Sequence, residues 1–143
     1  MNIGQILKSK SRGVSTGRPD DTIEEIANRL AQRNIGAIIV VGDSGAVTGI
    51  ISERDIIRLI AKHGSKALAL KARDGMTHDV VTCTRTNTLD EIMEMMAVGR
   101  FRHLPVVEEG ALIGIISVSD VVKHHMAEVE LEVTAMRGYL ATG

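Results

Sequence analysis

The 143-residue chain is almost without aromatic side chains. It has no tryptophan, and Phe101 and Tyr139 are its one phenylalanine and one tyrosine. A platform on which single-stranded nucleic acid stacks needs several aromatic side chains, so that class of binding protein is not expected. A lectin-like sugar site usually needs at least one aromatic face and is disfavoured for the same reason. The core must therefore be built from aliphatic side chains and methionine.

Cysteine and excess positive charge are scarce as well. Cys83 is the single cysteine, which excludes an intrachain disulfide and paired-cysteine zinc sites and favours a reducing compartment. The 17 basic and 18 acidic side chains leave a formal charge of −1, so no basic excess indicates a nucleic-acid partner. No apolar run approaches the roughly 18 residues that a membrane span needs, and residues 1–10 lack the apolar segment of a secretory signal. We therefore expect a cytoplasmic protein with neither a nucleic-acid nor a membrane partner.

Most of the chain consists of two copies of one unit. The stretches 22–26, 37–41 and 49–55 return as 88–92, 103–107 and 114–120. The displacement is 66 residues for the first two pairs and 65 for the last, so the matches stay in register apart from one turn. These matches assign residues 1–65 to a first repeat, 66–75 to a junction and 76–143 to a second repeat with an extended C-terminal helix.

Each unit is predicted to fold as a short strand, a helix, two strands and a second helix. Thr22 and Thr88 each precede apolar residues at helical spacing and are followed three residues later by glutamate, the pattern of a capping box. Gly36 and Gly99 lie where these two helices are predicted to stop. The predicted fold class is α+β, a sandwich-like pair of pseudo-symmetric βαββα repeats packed through their sheets.

The final helix, predicted from Ser119 to near Tyr139, is longer than one small repeat needs. A stripe of apolar side chains runs along it, formed by Val122, Met126, Val129, Val133 and Met136. Packing on its own domain and contact with a second chain both fit this stripe. The sequence leaves that choice open.

The pattern Gly-Ile-Ile-Ser-x-x-Asp occurs at 49–55 and again at 114–120. It indicates a strand that ends and a helix that begins, with Ser52 or Ser117 at the N-cap and Asp55 or Asp120 three residues on. One interpretation is structural, since such an aspartate complements the helix dipole. The other is functional, because a carboxylate can accept from both hydroxyls of a ribose while the helix N-terminus receives phosphate oxygens.

These two motifs resemble those of the CBS-domain (cystathionine β-synthase domain) family, in which two tandem copies form a Bateman module. The resemblance covers about residues 3–123. It implies a cleft between the repeats for an adenosine nucleotide, in which Asp55 and Asp120 hold ribose and Ser52 and Ser117 contact ribose or phosphate. It also implies that such modules pair as flat homodimers.

A phosphate in such a cleft needs positive partners. Arg54 lies within the first motif, and Arg102 and His103 lead into a strand of the second copy where the first copy has uncharged residues. We predict that these three side chains neutralise phosphate, although any one surface arginine could simply be solvated. The Asp55 site is therefore predicted to be the tighter one for phosphorylated ligands.

The adenine base must lie between aliphatic walls and backbone groups. The candidates on the leading strands are Val14, Thr16, Val80 and Thr82, and those on the second strands and the turn before them are Ile35, Ile38 and Leu104. Each of these could instead be an ordinary core residue. The resemblance favours the leading strands.

The function predicted from these observations is an adenine-nucleotide-binding regulatory module that senses energy or redox state and alters contacts with an unidentified partner protein. AMP is the first choice of ligand, with ADP, ATP or NAD(H) as alternatives, and no cofactor is required. The pairing of base and nucleophile that catalysis needs is not visible, and no metal site is expected from the histidines. The rival predictions are a ligand-free protein-interaction or dimerisation module and a nucleotide hydrolase.

Overall fold

The computed structural model describes residues 1–10 and 13–142, in which helices and strands are mixed. The helices are α1 (Ile3–Ser9), α2 (Ile23–Arg33), α3 (Glu53–His63), α4 (Ala72–Gly75), α5 (Leu89–Gly99) and α6 (Val118–Thr142). The strands are β1 (Thr16–Gly17), β2 (Ala37–Val41), β3 (Val47–Ser52), β4 (His103–Glu108) and β5 (Ala111–Ser117). A 3₁₀ helix covers Gly64–Ala69 between α3 and α4. The α+β class is confirmed.

Both repeats contain an antiparallel hairpin with the same register. β2 pairs with β3 and β4 pairs with β5, and both ladders shift register at the same place, after Val40 and after Val106. β1 joins the first hairpin as a parallel strand. In the second repeat the expected leading strand near Val80 is reduced to an isolated bridge at Cys83, whose N–H and carbonyl both bond to β4. The βαββα prediction therefore holds fully for the first repeat, while the second lacks a regular leading strand.

The first helix of each repeat begins as predicted but ends differently. Thr22 and Thr88 accept hydrogen bonds from the backbone N–H groups three residues later, which confirms both capping boxes. The left-handed residues that terminate the helices are Asn34 (φ 52°) and Arg100 (φ 56°), not the predicted glycines. Gly99 is still helical, and the carbonyl of Gly36 instead accepts from the N–H of Glu53 at 2.9 Å. Asparagine adopts the left-handed region more readily than most residues, which explains the ending of α2.

Each repeat completes its core with a helix taken from in front of the other repeat. α1, which precedes the first repeat, packs in the second core, and α4, which precedes the second repeat, packs in the first core. Ile3 and Ile6 of α1 are fully buried among residues of the second repeat, and Ala72 of α4 is fully buried among residues of the first. Backbone hydrogen bonds fix both exchanges, as in Ile3 N–H to Asn87 O at 3.0 Å and Ala72 N–H to Asp21 O at 2.7 Å. The chain that follows each exchanged helix must therefore cross from one repeat to the other. The boundaries at residues 65 and 75 stay a prediction about the sequence units.

The last helix begins against its own repeat and then leaves it. Val121 is buried in the second core, whereas the side chains from Met126 to Ala141 are exposed apart from that of Glu128. Within the described part of the chain, no helix has both the length and the apolar character needed to cross a bilayer.

Candidate functional site

Two clefts lie between the repeats, each between the motif of one repeat and the leading segment of the other. The first, here called the Asp55 cleft, has a volume of ≈ 310 Å³ and is lined by the start of α3 and by the segments 77–81 and 100–103. The second, called the Lys10 cleft, has a volume of ≈ 700 Å³. It is lined by Lys10, by the segments 13–15 and 32–37, and by part of the segment 113–119. Both volumes are within or close to the range for small-molecule sites.

The two motif aspartates cap helices in the same way. The Oδ2 atom of Asp55 accepts from the N–H of Ser52 at 2.8 Å and from its hydroxyl at 3.0 Å, while the Asp55 N–H donates back to Ser52 Oγ at 3.3 Å. Asp120 and Ser117 repeat this arrangement at 2.9, 3.0 and 3.2 Å. The structural interpretation of both motifs is therefore correct. It does not exclude the functional one, since the cap uses one oxygen of each carboxylate.

The Asp55 cleft carries a concentration of arginine side chains. Arg54, Arg58, Arg100 and Arg102 line it, together with the acidic Glu53, Asp55 and Asp79. Arg58 is paired with Asp55, its Nη1 lying 3.5 Å from Oδ1. Among the described residues, no carboxylate lies within 4.0 Å of the guanidinium groups of the other three arginines. These cations are therefore available to an anionic ligand.

His103 lies between the two clefts and lines both. It opens β4 opposite Ser117, and its ring lies against Gly36 of the first repeat, where an added Cβ would make an ordinary van der Waals contact at 3.6 Å. Burial and the charge of Arg102 lower the pKa of His103, against the opposing influence of the Glu53 and Asp120 carboxylates. The ring is therefore neutral at neutral pH and offers a hydrogen bond rather than a charge.

The carboxylate of Asp120 already has a cationic partner, Lys10. The Lys10 ammonium donates to Asp120 Oδ2 at 2.8 Å and to the carbonyl of Ile115 at 2.7 Å. Burial raises the pKa of Asp120, but the hydrogen bond and charge of Lys10, together with the hydrogen bonds from Ser117, lower it overall. Lys10 bonds the same oxygen that the cap uses, so a ribose at Oδ1 would meet a carboxylate that an ammonium group already neutralises.

Lys10 bonds to a strand position whose counterpart in the first repeat makes a backbone pairing. There, Ile50 pairs with Thr77 through two backbone hydrogen bonds of 2.9 and 3.0 Å. The carbonyl of the equivalent Ile115 accepts from the Lys10 side chain. Sequence reasoning missed Lys10 because it lies in a linker outside the repeated stretches.

The predicted phosphate and ribose ligands are mostly brought together. Ser52, Arg54, Asp55, Arg102 and His103 all line the Asp55 cleft. Ser117 lines the Lys10 cleft beside the Lys10–Asp120 pair.

Some of the residues predicted to contact the base line one of the clefts, and others are buried in the hydrophobic cores. Val80 lines the Asp55 cleft, and Val14 lines the Lys10 cleft together with Ile35. Thr16 is exposed on β1 and Thr82 is half-buried next to Cys83. Ile38 and Leu104 are fully buried in the two cores, so they support the cleft walls from behind and do not form the lining.

Two further sequence predictions concern reactive or metal-binding groups. Cys83 is 3% exposed, and burial raises the pKa of its thiol to about 11, so it behaves as a small buried apolar residue and not as a nucleophile. Among residues 1–10 and 13–142, no three histidine, cysteine or acidic side chains are grouped so that they could hold a metal ion.

The repeats, the exchanged helices and the paired clefts can now be compared with known proteins. A sequence model of the CBS domain matches residues 11–62 and 71–127, more than half of the chain. The chain belongs to the CBS-domain family.

This CBS pair is similar to proteins from plants, bacteria and archaea. It is 32% identical to the mitochondrial CBS domain-containing protein CBSX3 of Arabidopsis thaliana, over 99% of this chain and 72% of that protein. The crystal structure of the CBS-domain protein ATU1752 from Agrobacterium tumefaciens is 43% identical, with a TM-score of 0.81 over 85% of this chain and 91% of that one. The CBS domain protein PAE2072 from Pyrobaculum aerophilum, solved with AMP, is 24% identical and shares the fold at a TM-score of 0.75 over 84% and 89% of the two chains.

Proposed function

We propose that this CBS pair is a regulatory module that binds one adenosine nucleotide per chain, in the Asp55 cleft. One observation carries the proposal: the Asp55 carboxylate, whose Oδ1 lies outside the helix cap and 3.5 Å from the exposed Arg58, lines the same cleft as three arginines that have no carboxylate partner among the described residues. A ribose supplies two adjacent hydroxyl donors for such a carboxylate, and a phosphate supplies acceptors for guanidinium groups. The AMP complex of the similar protein PAE2072 supports the same choice.

The cleft assigns a role to each part of a nucleotide. Asp55 would accept from the ribose hydroxyls, and Arg102 and Arg54 would bind the phosphate. The base would lie between the aliphatic side chains of Ile50 and Val80, which line the cleft from opposite repeats. AMP is the first choice of ligand, with ADP, ATP and NAD(H) as alternatives that share the adenosine and the phosphate.

Regulation follows from where the cleft lies. Its walls come from both repeats, so a bound nucleotide would favour one arrangement of the repeats over others by the difference in its affinity for them. That change would be transmitted to an unidentified partner protein. The module is proposed to act without catalysing a reaction, and a cytoplasmic location stays a prediction.

A thermal-shift titration tests the proposal. A ligand that binds only the folded state raises the melting temperature by mass action, so millimolar AMP is expected to raise it clearly. If AMP, ADP, ATP and NADH at millimolar concentration all leave the melting temperature unchanged, nucleotide binding is refuted. The exposed apolar side chains of α6 would then favour the rival function, a protein-interaction module without a ligand.

Calorimetry on two arginine variants tests the phosphate contact. Arg102→Gln is expected to weaken AMP binding about tenfold, the loss of one charge-assisted hydrogen bond, and to leave adenosine binding almost unchanged. Arg85→Gln is the matched control, because Arg85 pairs with Glu108 and does not line the cleft. Equal losses for AMP and adenosine in Arg102→Gln would contradict the assigned role.

A further inference from the structure

The outer part of α6 exposes apolar side chains in an ordered pattern. Six of them alternate at spacings of four and three residues, and each is between 42% and 71% exposed. These are Val122, Met126, Val129, Val133, Met136 and Leu140. Alternation of four and three is the a/d heptad pattern of a coiled coil, here sustained from residue 122 to residue 140. We call these six side chains the α6 seam.

The α6 seam is not the face by which α6 packs on its own repeat. The buried or half-buried side chains in the first turns of the helix are those of Val118, Asp120, Val121, His124, His125 and Glu128. At 100° per residue, the seam is centred about a third of a turn away from the middle of this face. A second helix can therefore cover the seam while α6 stays docked on its repeat.

The charges beside the seam indicate which helix covers it. With Met126 at position a, the e positions hold Lys123, Glu130 and Arg137, and the g positions hold His125, Glu132 and Tyr139. In a parallel pair of identical helices, a g residue faces the e residue five positions later on the other helix. Glu132 of each copy then faces Arg137 of the other, which gives two attractive contacts.

The antiparallel alternative has the opposite electrostatics. With the seams fully overlapped, e positions face e positions. Glu130 would then face Glu130 of the other copy, and Lys123 would face Arg137. Like charges at these flanking positions disfavour that orientation.

We propose that α6 pairs with α6 of a second copy of this chain as a parallel two-stranded coiled coil along the α6 seam. The seam is about 27 Å long. This pairing needs no nucleotide, so it goes beyond the proposed function and does not depend on it.

Sedimentation equilibrium on two glutamate variants tests the pairing. Met136→Glu introduces facing carboxylates at a d position and is expected to weaken the dimer roughly 10- to 100-fold. Leu131→Glu is the matched control, since Leu131 is 71% exposed on the same helix but lies at position f, outside the seam. The control is expected to dimerise like the wild type. A wild type that stays monomeric at high micromolar concentration overturns the proposal, and so does a Met136→Glu variant that dimerises unchanged.

Disulfide formation tests the orientation. In a parallel pair, residue 136 faces residue 136 of the other copy, so Met136→Cys is expected to form a disulfide-linked dimer under mild oxidation. Cys83 is 3% exposed and should not react, so the wild type serves as the blank. In the antiparallel alignment, residue 136 faces residue 126. Cross-linking that requires a mixture of the Met126→Cys and Met136→Cys proteins would therefore overturn the parallel arrangement.

Discussion

The two clefts contain the same motif in the same local geometry, yet they offer a ligand different chemistry. In both, a serine and an aspartate form a reciprocal cap with hydrogen bonds that agree to within 0.1 Å. The Asp55 cleft is lined by three arginines without a carboxylate partner among the described residues, and the aspartate itself lies 3.5 Å from Arg58, whereas Asp120 accepts a direct 2.8 Å bond from the Lys10 ammonium. Arg54 occupies a variable position inside the first motif, and the other charges that differ come from residues outside it.

The internal repeat keeps the local helix cap but not the charged residues around it. The cap is local, since serine and aspartate are three residues apart and any copy of the sequence rebuilds it. The charge around the cap depends on segments that arrive from elsewhere in the chain. Duplicated motifs can therefore keep one structural role while only one of them keeps a ligand role.

The largest expected effect comes from removing the charge of Asp55. Asp55→Asn keeps an oxygen that can accept the capping hydrogen bonds but weakens acceptance from ribose hydroxyls, so AMP and adenosine affinity should fall roughly 10- to 100-fold. Asp120→Asn is the matched change in the other cleft and should leave AMP affinity within about twofold. Calorimetry measures both, and equal losses in the two variants would remove the proposed distinction between the clefts.

The next largest effect is expected from Lys10→Met, which frees Asp120. The number of adenosine molecules bound per chain should rise from one to two, because Asp120 loses its ammonium partner and a nucleoside brings no phosphate that needs a cation. Lys8→Met is the control, since Lys8 is exposed in the last turn of α1, two residues before Lys10. Native mass spectrometry counts the bound ligands, and a count that stays at one in Lys10→Met would show that something else closes the second cleft.

The same variant should change stability in acid. The pKa of Asp120 is lowered in the folded chain, so its contribution to stability is present above the unfolded pKa of about 4 and is lost as the pH falls through the folded value. Lys10→Met removes part of the cause, so its free energy of unfolding should depend less on pH below about 4 than that of the wild type. A melting series from pH 5 to pH 2.5 measures this slope, and identical slopes would contradict the pairing.

The smallest effect is expected at His103, which belongs to both clefts. Its pKa is lowered on folding, so the folded state resists protonation, and stability is lost as the pH falls below the unfolded value of about 6.5. His103→Gln should remove this loss between pH 7 and pH 5. In the wild type, a bound phosphate should also reduce this loss of stability, because it favours the charged form of the His103 ring. A wild-type slope that AMP leaves unchanged would place the phosphate away from His103.

Features that depend on neighbouring residues were predictable from the sequence. The repeats, the capping boxes at Thr22 and Thr88 and the two motif caps all involve residues within a few positions of one another. The helix ends were less predictable, because Asn34 and Arg100 took the left-handed conformation expected of the nearby glycines. At a helix end, alternatives one or two residues apart differ little in free energy, so composition alone does not choose among them.

The aliphatic core, the duplicated unit and the capped aspartates follow from residue types and short spacings, since these determine helix starts, strand periodicity and burial. The exchange of α1 and α4 between the repeats, the shared position of His103 and the bond from Lys10 to Asp120 do not. That last bond joins residues 110 positions apart, so it exists only because the core places α1 against the second repeat. Tertiary structure thus decided that the two equivalent carboxylates have different charged neighbours, because packing alone determines which distant charge each of them meets.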